Sequence, residues 1–210
     1  MAVAAMNKLI PPIFAALLLS ACTSGPSQPP LAEAPLAGMT LGGSFTLTDH
    51  TGKKRSDAEF KGKWRIVYFG YTSCPDVCTP DMQNLMGGLK LYAAQQPELA
   101  AKIQPIFITV DPKRDTPAVL SQFVRAFHDN LIGLTGSEEE IAAAAKEFAV
   151  IYSVEDGGTD DSYLVSHMQL PYLIDPDGEP IAVLPVNAPG AGAGAGRPEE
   201  VANELAKWVR

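Results

Sequence analysis

Two short apolar runs constrain the fold more than any other feature of this chain. Trp64–Phe69 and Ile103–Val110 are rich in β-branched and aromatic residues, and each has the length of a buried strand. Each run leads into a loop and then a helix-start signal. After the first, Gly70–Pro80 precedes a helical stretch over Met82–Ala101, weakened at its middle by Gly87-Gly88. After the second, Asp111-Pro112 ends the strand, and Asp115-Thr116-Pro117 opens a helix reaching about Asn130, with Asp115 or Thr116 as its cap. Strands that alternate with helices build a sheet containing parallel pairs, with both faces covered.

The remaining segments extend this pattern. Gly43–Thr48 alternates like a strand, and Asp49-His50-Thr51-Gly52 follows as a turn. Leu131–Leu134 is a short strand, and Ser137-Glu138-Glu139-Glu140 is a capping box ahead of a helix over Ile141–Phe148. Tyr163–Val165 and Tyr172–Ile174 are strand-like. Asp175-Pro176-Asp177-Gly178 is a turn, and Pro180–Leu184 returns as the antiparallel partner of the preceding strand. Gly190–Gly196 alternates Ala and Gly and is expected to be a mobile loop, and Arg197–Arg210 forms a closing helix.

The amino-terminal segment has a different character. Lys8 supplies a positive start, Leu9–Leu19 is almost wholly apolar, and small residues then precede a cysteine in Leu19-Ser20-Ala21-Cys22. The apolar run falls well short of the ~20 residues that span a bilayer. Together these features describe an export signal. The tetrapeptide resembles the lipobox of bacterial lipoproteins, which implies lipid on Cys22 and cleavage before it. The expected organisation is a signal peptide over residues 1–21, a Pro/Ser/Ala/Gly-rich tether over 22–37 and a domain over 38–210. The domain would then sit in the cell envelope, lipid-anchored to the membrane and facing the periplasm or another extracytoplasmic space. The net charge is −8, and it becomes −9 once Lys8 is removed with the signal. Such an acidic chain lacks the basic patches that phosphate backbones require, so nucleic acid is excluded as a partner.

Two thiols, Cys74 and Cys78, remain besides Cys22. They lie just after the Trp64–Phe69 strand, at the carboxyl-end position where α/β sheets gather ligands. One close pair closes too short a loop to stabilise the chain much as a disulfide. The segment Cys74-Pro75-Asp76-Val77-Cys78-Thr79-Pro80-Asp81 holds two overlapping helix starts, Pro75-Asp76 and Thr79-Pro80-Asp81, and the residues do not choose between them. In either case the sulfurs sit near a helix N-terminus, which favours thiolate. Two thiolates suit Cu(I) or zinc by softness, but a third ligand is needed. The chain has three histidines. His50 falls in a turn expected to be exposed, and His128 falls near a helix C-terminus, where a cationic ring is favourable. His167, in Val165-Ser166-His167-Met168, suits either a ligand or a hydrogen-bonded structural role, and Met168 suits core packing.

Several segments together resemble the Sco/SenC family. They are Tyr68-Phe69-Gly70-Tyr71-Thr72-Ser73-Cys74-Pro75-Asp76-Val77-Cys78, Val110-Asp111-Pro112-Lys113-Arg114-Asp115-Thr116-Pro117, Tyr172-Leu173-Ile174-Asp175-Pro176-Asp177-Gly178 and the earlier Phe45-Thr46-Leu47-Thr48-Asp49. They occur in the family's order within residues 38–210. The resemblance implies a thioredoxin-like α/β fold with a central mixed sheet, flanking helices and an added N-terminal β-hairpin. It implies a copper metallochaperone whose metal ligands are Cys74, Cys78 and His167. The implied partner is the copper-bearing subunit of cytochrome c oxidase or another cuproprotein, with membrane contact through the lipid anchor. The alternative activity is thiol-disulfide exchange by the redox-active pair Cys74 and Cys78 on a cuproprotein's cysteines. Two positions depart from the family pattern: Thr79 intervenes between Cys78 and Pro80, and Ser166 stands where many relatives carry Asp. A carboxylate at position 166 could orient the imidazole, so Ser166 raises the question of what holds the ring.

Overall fold

The computed structural model describes Met1 and residues 28–75, 77–155, 162–186 and 196–210. The export signal, Cys22, Asp76 and nearly all of the Ala/Gly loop lie outside the described residues. Seven strands form one sheet: β1 (Thr46–Asp49), β2 (Lys54–Ser56), β3 (Trp64–Gly70), β4 (Ile103–Thr109), β5 (Ile132–Thr135), β8 (Tyr172–Ile174) and β9 (Pro180–Val183), in the order β2-β1-β5-β4-β3-β8-β9. A separate two-stranded ribbon pairs β6 (Tyr152–Val154) with β7 (Val165–His167). The helices are α1 (Cys78–Gln95), the short α2 (Pro97–Ala100), α3 (Pro117–Arg125), α4 (Glu138–Glu147) and α5 (Pro198–Trp208).

The two apolar runs lie at the centre of the sheet, as their composition requires. β3 pairs in parallel with β4 from Trp64↔Ile103 to Gly70↔Thr109, and β4 pairs in parallel with β5. All seven residues of β3 are buried, and alternate side chains serve two different cores. Trp64, Ile66 and Tyr68 pack with α1 and α5, whereas Val67 and Phe69 pack toward α4 and β1. Pro105 is tolerated in β4 because the ladder to β5 begins only at Ile106, so no pairing on that side requires its missing N–H. The expected hairpins also form. β1–β2 joins the sheet through an antiparallel pairing with β5, and β8–β9 extends the other edge antiparallel to β3.

Three segments differ from their sequence-based expectations. The helix expected over 82–101 begins four residues earlier, at Cys78, and breaks at Gln96. Its glycines have a packing role: a Cβ on Gly88 would lie 2.4 Å from Val201 Cβ, so the missing side chain is what lets α5 approach. The strand expected over 163–165 falls two residues later, and its partner β6 was not visible in the sequence. β6 is only three residues long, with one intermediate and two exposed positions, so it carries no apolar periodicity. Third, α3 stops at Arg125, and its cap is Thr116, whose Oγ1 accepts from Val119 N at 3.4 Å.

Residues 28–37 run along the domain. Leu31–Glu33 forms a 3₁₀ turn, Gln28 Nε2 donates to Ala206 O and Val209 O at 2.7 and 2.9 Å, and Leu36 N donates to Ile181 O.

Candidate metal centre

The sulfurs occupy the junction between the C-terminal end of β3 and the start of α1. Helix α1 starts without a side-chain cap: Val77 is its N-cap residue and offers no acceptor. The first backbone donors of a helix need partners. Here Cys78 N donates to Cys74 Sγ at 3.4 Å, so a sulfur serves where a Ser or Asp oxygen would ordinarily sit. Gly70 makes room for the second sulfur. A Cβ at Gly70 would lie 3.1 Å from Cys78 Sγ and 3.0 Å from the Tyr68 ring. Both cysteines are free thiols; Cys78 is fully buried and Cys74 is half-buried.

Position separates the two thiols electrostatically. The hydrogen bond from Cys78 holds the Cys74 thiol well below the ordinary range, against the penalty of its partial burial and with help from the backbone N–H groups of Cys78 and Val77. The same bond to an ionised Cys74, together with burial, pushes the Cys78 thiol up. The proton that the reduced pair shares therefore favours the buried Cys78 over Cys74.

His167 reaches this pair from the ribbon. Its Nε2 lies 3.2 Å from Cys78 Sγ, and its Nδ1 lies 3.1 Å from Met168 O. A carbonyl only accepts, so Nδ1 carries the proton and Nε2 turns its lone pair toward the sulfurs. The ring stands edge-on to Tyr71 and Tyr68, with centroids 5.9 and 6.3 Å apart. The question posed by Ser166 has an answer in the backbone: Ser166 is exposed, and the Met168 carbonyl holds the ring without a carboxylate. The Met168 side chain packs into the core on the α4 face.

Among the described residues, Cys74, Cys78 and His167 form the one cluster of His, Cys and carboxylate residues with metal-ligating geometry; their donor atoms all lie within 4.8 Å of one another. Cys74 and His167 line a cleft of about 200 Å³ whose walls include Tyr71, Val77, Glu155 and Leu164, with Cys78 buried behind it. The other histidines serve the fold. His50 is half-buried rather than exposed, because its Nδ1 accepts from Gly133 N at 3.2 Å and ties the N-terminal hairpin to β5. His128 Nδ1 accepts from Asn130 N just beyond α3.

The loop after β4 supports the centre in a way the sequence concealed. Asp115 is fully buried and accepts from Thr72 N, Thr72 Oγ1 and Thr109 Oγ1 at 3.0, 2.6 and 2.6 Å, bolting the cysteine loop to the end of β4. Burial pushes its carboxyl up while these hydrogen bonds oppose the shift. As a residue beside a helix start it read as a candidate cap, and nothing local signalled its distant threonine partners. Asp111, Arg114 and Tyr163 form a second cluster beside the ribbon.

The family model described as SCO1/SenC matches residues 33–209. The mitochondrial SCO2 homolog of Mus musculus is 43% identical over 136 residues, covering 65% of this chain and 52% of that protein, so the chain spans about half the length of this curated relative. Among solved structures, Bradyrhizobium japonicum ScoI with copper bound is 34% identical with a TM-score of 0.68, covering 80% of this chain and 99% of that one. A SCO1/SenC family lipoprotein from Bacillus anthracis is 26% identical with a TM-score of 0.62, covering 80% and 94%.

Proposed function

The chain belongs to the SCO1/SenC family, and on that footing we propose that it is a copper metallochaperone whose cargo is held by Cys74, Cys78 and His167. The observation that carries this reading is the convergence of two sulfurs and one imidazole nitrogen within 4.8 Å, with the nitrogen's lone pair directed inward by the Nδ1–Met168 bond. Two thiolates and an imidazole suit Cu(I) by softness, and a three-ligand site at a cleft leaves an approach for an incoming ligand. Delivery proceeds by ligand exchange with the thiols or imidazoles of a recipient, for which the copper-bearing subunit of cytochrome c oxidase is the leading candidate. The copper-bound structure of the Bradyrhizobium relative supports the metal assignment.

Titration of Cu(I) into the reduced protein tests this. One copper per chain is expected, and His167→Ala should weaken binding by at least about tenfold, the low end of what losing even an outer-shell partner costs a metal site. Equal affinity in the two proteins would rule out the three-ligand site.

A second reading is favoured by the unequal burial of the pair. Half-exposed Cys74 is placed to attack a partner's disulfide, and buried Cys78 to resolve the mixed disulfide. The partner gains two thiols while Cys74 and Cys78 become joined, so electrons balance without a further reagent. If this is the main role, His167→Ala retains the rate at which an oxidised cuproprotein is reduced while losing copper affinity. A proportional fall in both favours the chaperone.

Anchoring belongs to the same proposal. The sequence Leu19-Ser20-Ala21-Cys22 and the lipoprotein among the structural relatives support lipid on Cys22, holding a domain at the outer face of the cell membrane. Cys22→Ala should shift the protein from the membrane to the soluble fraction and abolish labelling by a fatty acid. A wild-type protein found soluble and unlabelled would remove the anchor from the account.

A further inference from the structure

The third ligand is mounted separately from the other two. Cys74 and Cys78 are fixed to the seven-stranded sheet through β3 and α1, whereas His167 rides on the β6–β7 ribbon, which forms its own two-stranded sheet. A ribbon with three paired positions, Tyr152↔His167 to Val154↔Val165, is marginal alone. Its placement depends on what it is tied to.

Besides the packing of Val165, Tyr152 and Met168 against the core, the tie is a polar cluster around Arg114. Arg114 Nε pairs with Asp111 Oδ2, and Nη1 donates to Tyr163 O at 2.9 Å. The guanidinium lies over the Tyr163 ring, 3.8 Å from its centroid, and 5.6 Å from that of Tyr71. Tyr163 Oη donates back to Asp111 Oδ1 at 2.6 Å. Tyr71 Oη accepts from Val165 N at 3.3 Å, the first residue of β7, and its ring abuts His167. Every one of these contacts joins a residue on the sheet side (Tyr71, Asp111, Arg114) to the strand that carries His167 or to Tyr163 just before it, or braces a residue that does. Arg114 touches none of the three donor atoms.

We propose that Arg114, with Asp111 and Tyr163, is a latch that positions His167 over the cysteine pair, and so sets the imidazole's contribution to copper affinity. The inference rests on the three-ligand reading given above. The latch fixes the ribbon at its entry, two to four residues before His167. Without it, the two sulfurs keep their geometry and the imidazole alone loses its register.

The test is a double-mutant cycle on Cu(I) affinity. Arg114→Met removes the fork and charge but keeps an unbranched stem. It should weaken binding about tenfold in the otherwise native protein, the scale set by outer-shell partners of metal ligands. In the His167→Ala background it should change nothing, because the group it positions is gone. Nitrogen splitting in the EPR spectrum of the Cu(II)-loaded protein should weaken in Arg114→Met as in His167→Ala. An equal loss in both backgrounds, or no loss in either, overturns the latch. If wild type and His167→Ala bind copper equally, the three-ligand reading itself fails, a result distinct from failure of the latch. Should Arg114→Met not fold, Tyr163→Phe keeps the stacked ring and removes only the bond to Asp111. A His167-dependent loss of a few-fold then upholds the latch, and a His167-independent one overturns it.

Discussion

Replacing Cys78 with serine, whose hydroxyl can still donate to Cys74 Sγ, is expected to lower Cu(I) affinity by two to three powers of ten and to erase its pH dependence. A hydroxyl is a poor ligand for a soft ion, so the site loses a ligand outright. Structural metal sites with four ligands bind with roughly 10–16 kcal/mol, or about 2.5–4 kcal/mol for each ligand, and 1.4 kcal/mol is tenfold. The pH dependence follows from the asymmetry of the pair. The Cys74 thiol is held well below the ordinary range by its bond to Cys78, so it should give up no proton to copper. Cys78 keeps its proton because its thiol is pushed up by that bond and by burial, and copper must displace it. Affinity should therefore rise with pH, by roughly tenfold per unit between pH 7.5 and 9, one proton leaving for each copper bound. Calorimetry in buffers of different ionisation enthalpy reads the proton count directly. Two protons per copper would mean that Cys74 is also a thiol before binding. A pH slope that persists in Cys78→Ser would place the displaced proton elsewhere.

The second large effect concerns stability. Gly88→Ala should destabilise the fold by about 2 kcal/mol even though alanine is the better helix former. The new methyl would lie 2.4 and 2.6 Å from Val201 Cβ and Cγ1 and 2.8 Å from Pro198 O. The last of these is backbone, so rotating a side chain cannot relieve the overlap, and α1 and α5 must move apart. The behind-sheet core would open with them, since Leu85, Leu89, Val201, Leu205 and Trp208 share it. For a chain of this size the loss corresponds to a fall of about 4–8 °C in Tm. Gly87→Ala is the internal control. Its methyl meets only the Pro198 ring, at 3.0 and 3.3 Å, and the gain in helix propensity offsets that contact to leave Tm nearly unchanged. Copper affinity should be unchanged in both variants, because neither glycine touches the centre. Equal thermal midpoints for Gly88→Ala and wild type would show that the two helices are not held at this distance in solution.

The sheet was legible because its signals are local. Seven buried residues in β3 and the apolar run of β4 could only be central strands, and Ser137 with Glu140 announced α4 through a reciprocal cap that the structure contains. The cysteine pair was legible for the same reason: its residues are adjacent, and they follow a strand. β6 and the exact span of β7 were not, because three-residue strands with mostly exposed or intermediate positions have no periodicity to read. Gly87-Gly88 looked like a flaw in a helix when seen along the chain, and only the approach of α5 shows why the flaw is there.

The sequence by itself determined a strand–helix alternation, a thiol pair at a strand's carboxyl end and, through family resemblance, His167 as its companion. Tertiary structure decided everything that depends on residues far apart in the chain. It placed His167 Nε2 3.2 Å from Cys78 Sγ across 89 positions, and gave the ring its tautomer through the Met168 carbonyl. It turned Asp115 from a candidate cap into a buried bolt between Thr72 and Thr109. It also pushed the two thiols apart, Cys74 down and Cys78 up, through their mutual hydrogen bond and unequal burial. The physical reason is common to all four. Local preference acts over a few neighbouring residues, whereas burial, charge and hydrogen-bond partnership depend on which distant groups the folded chain brings into contact.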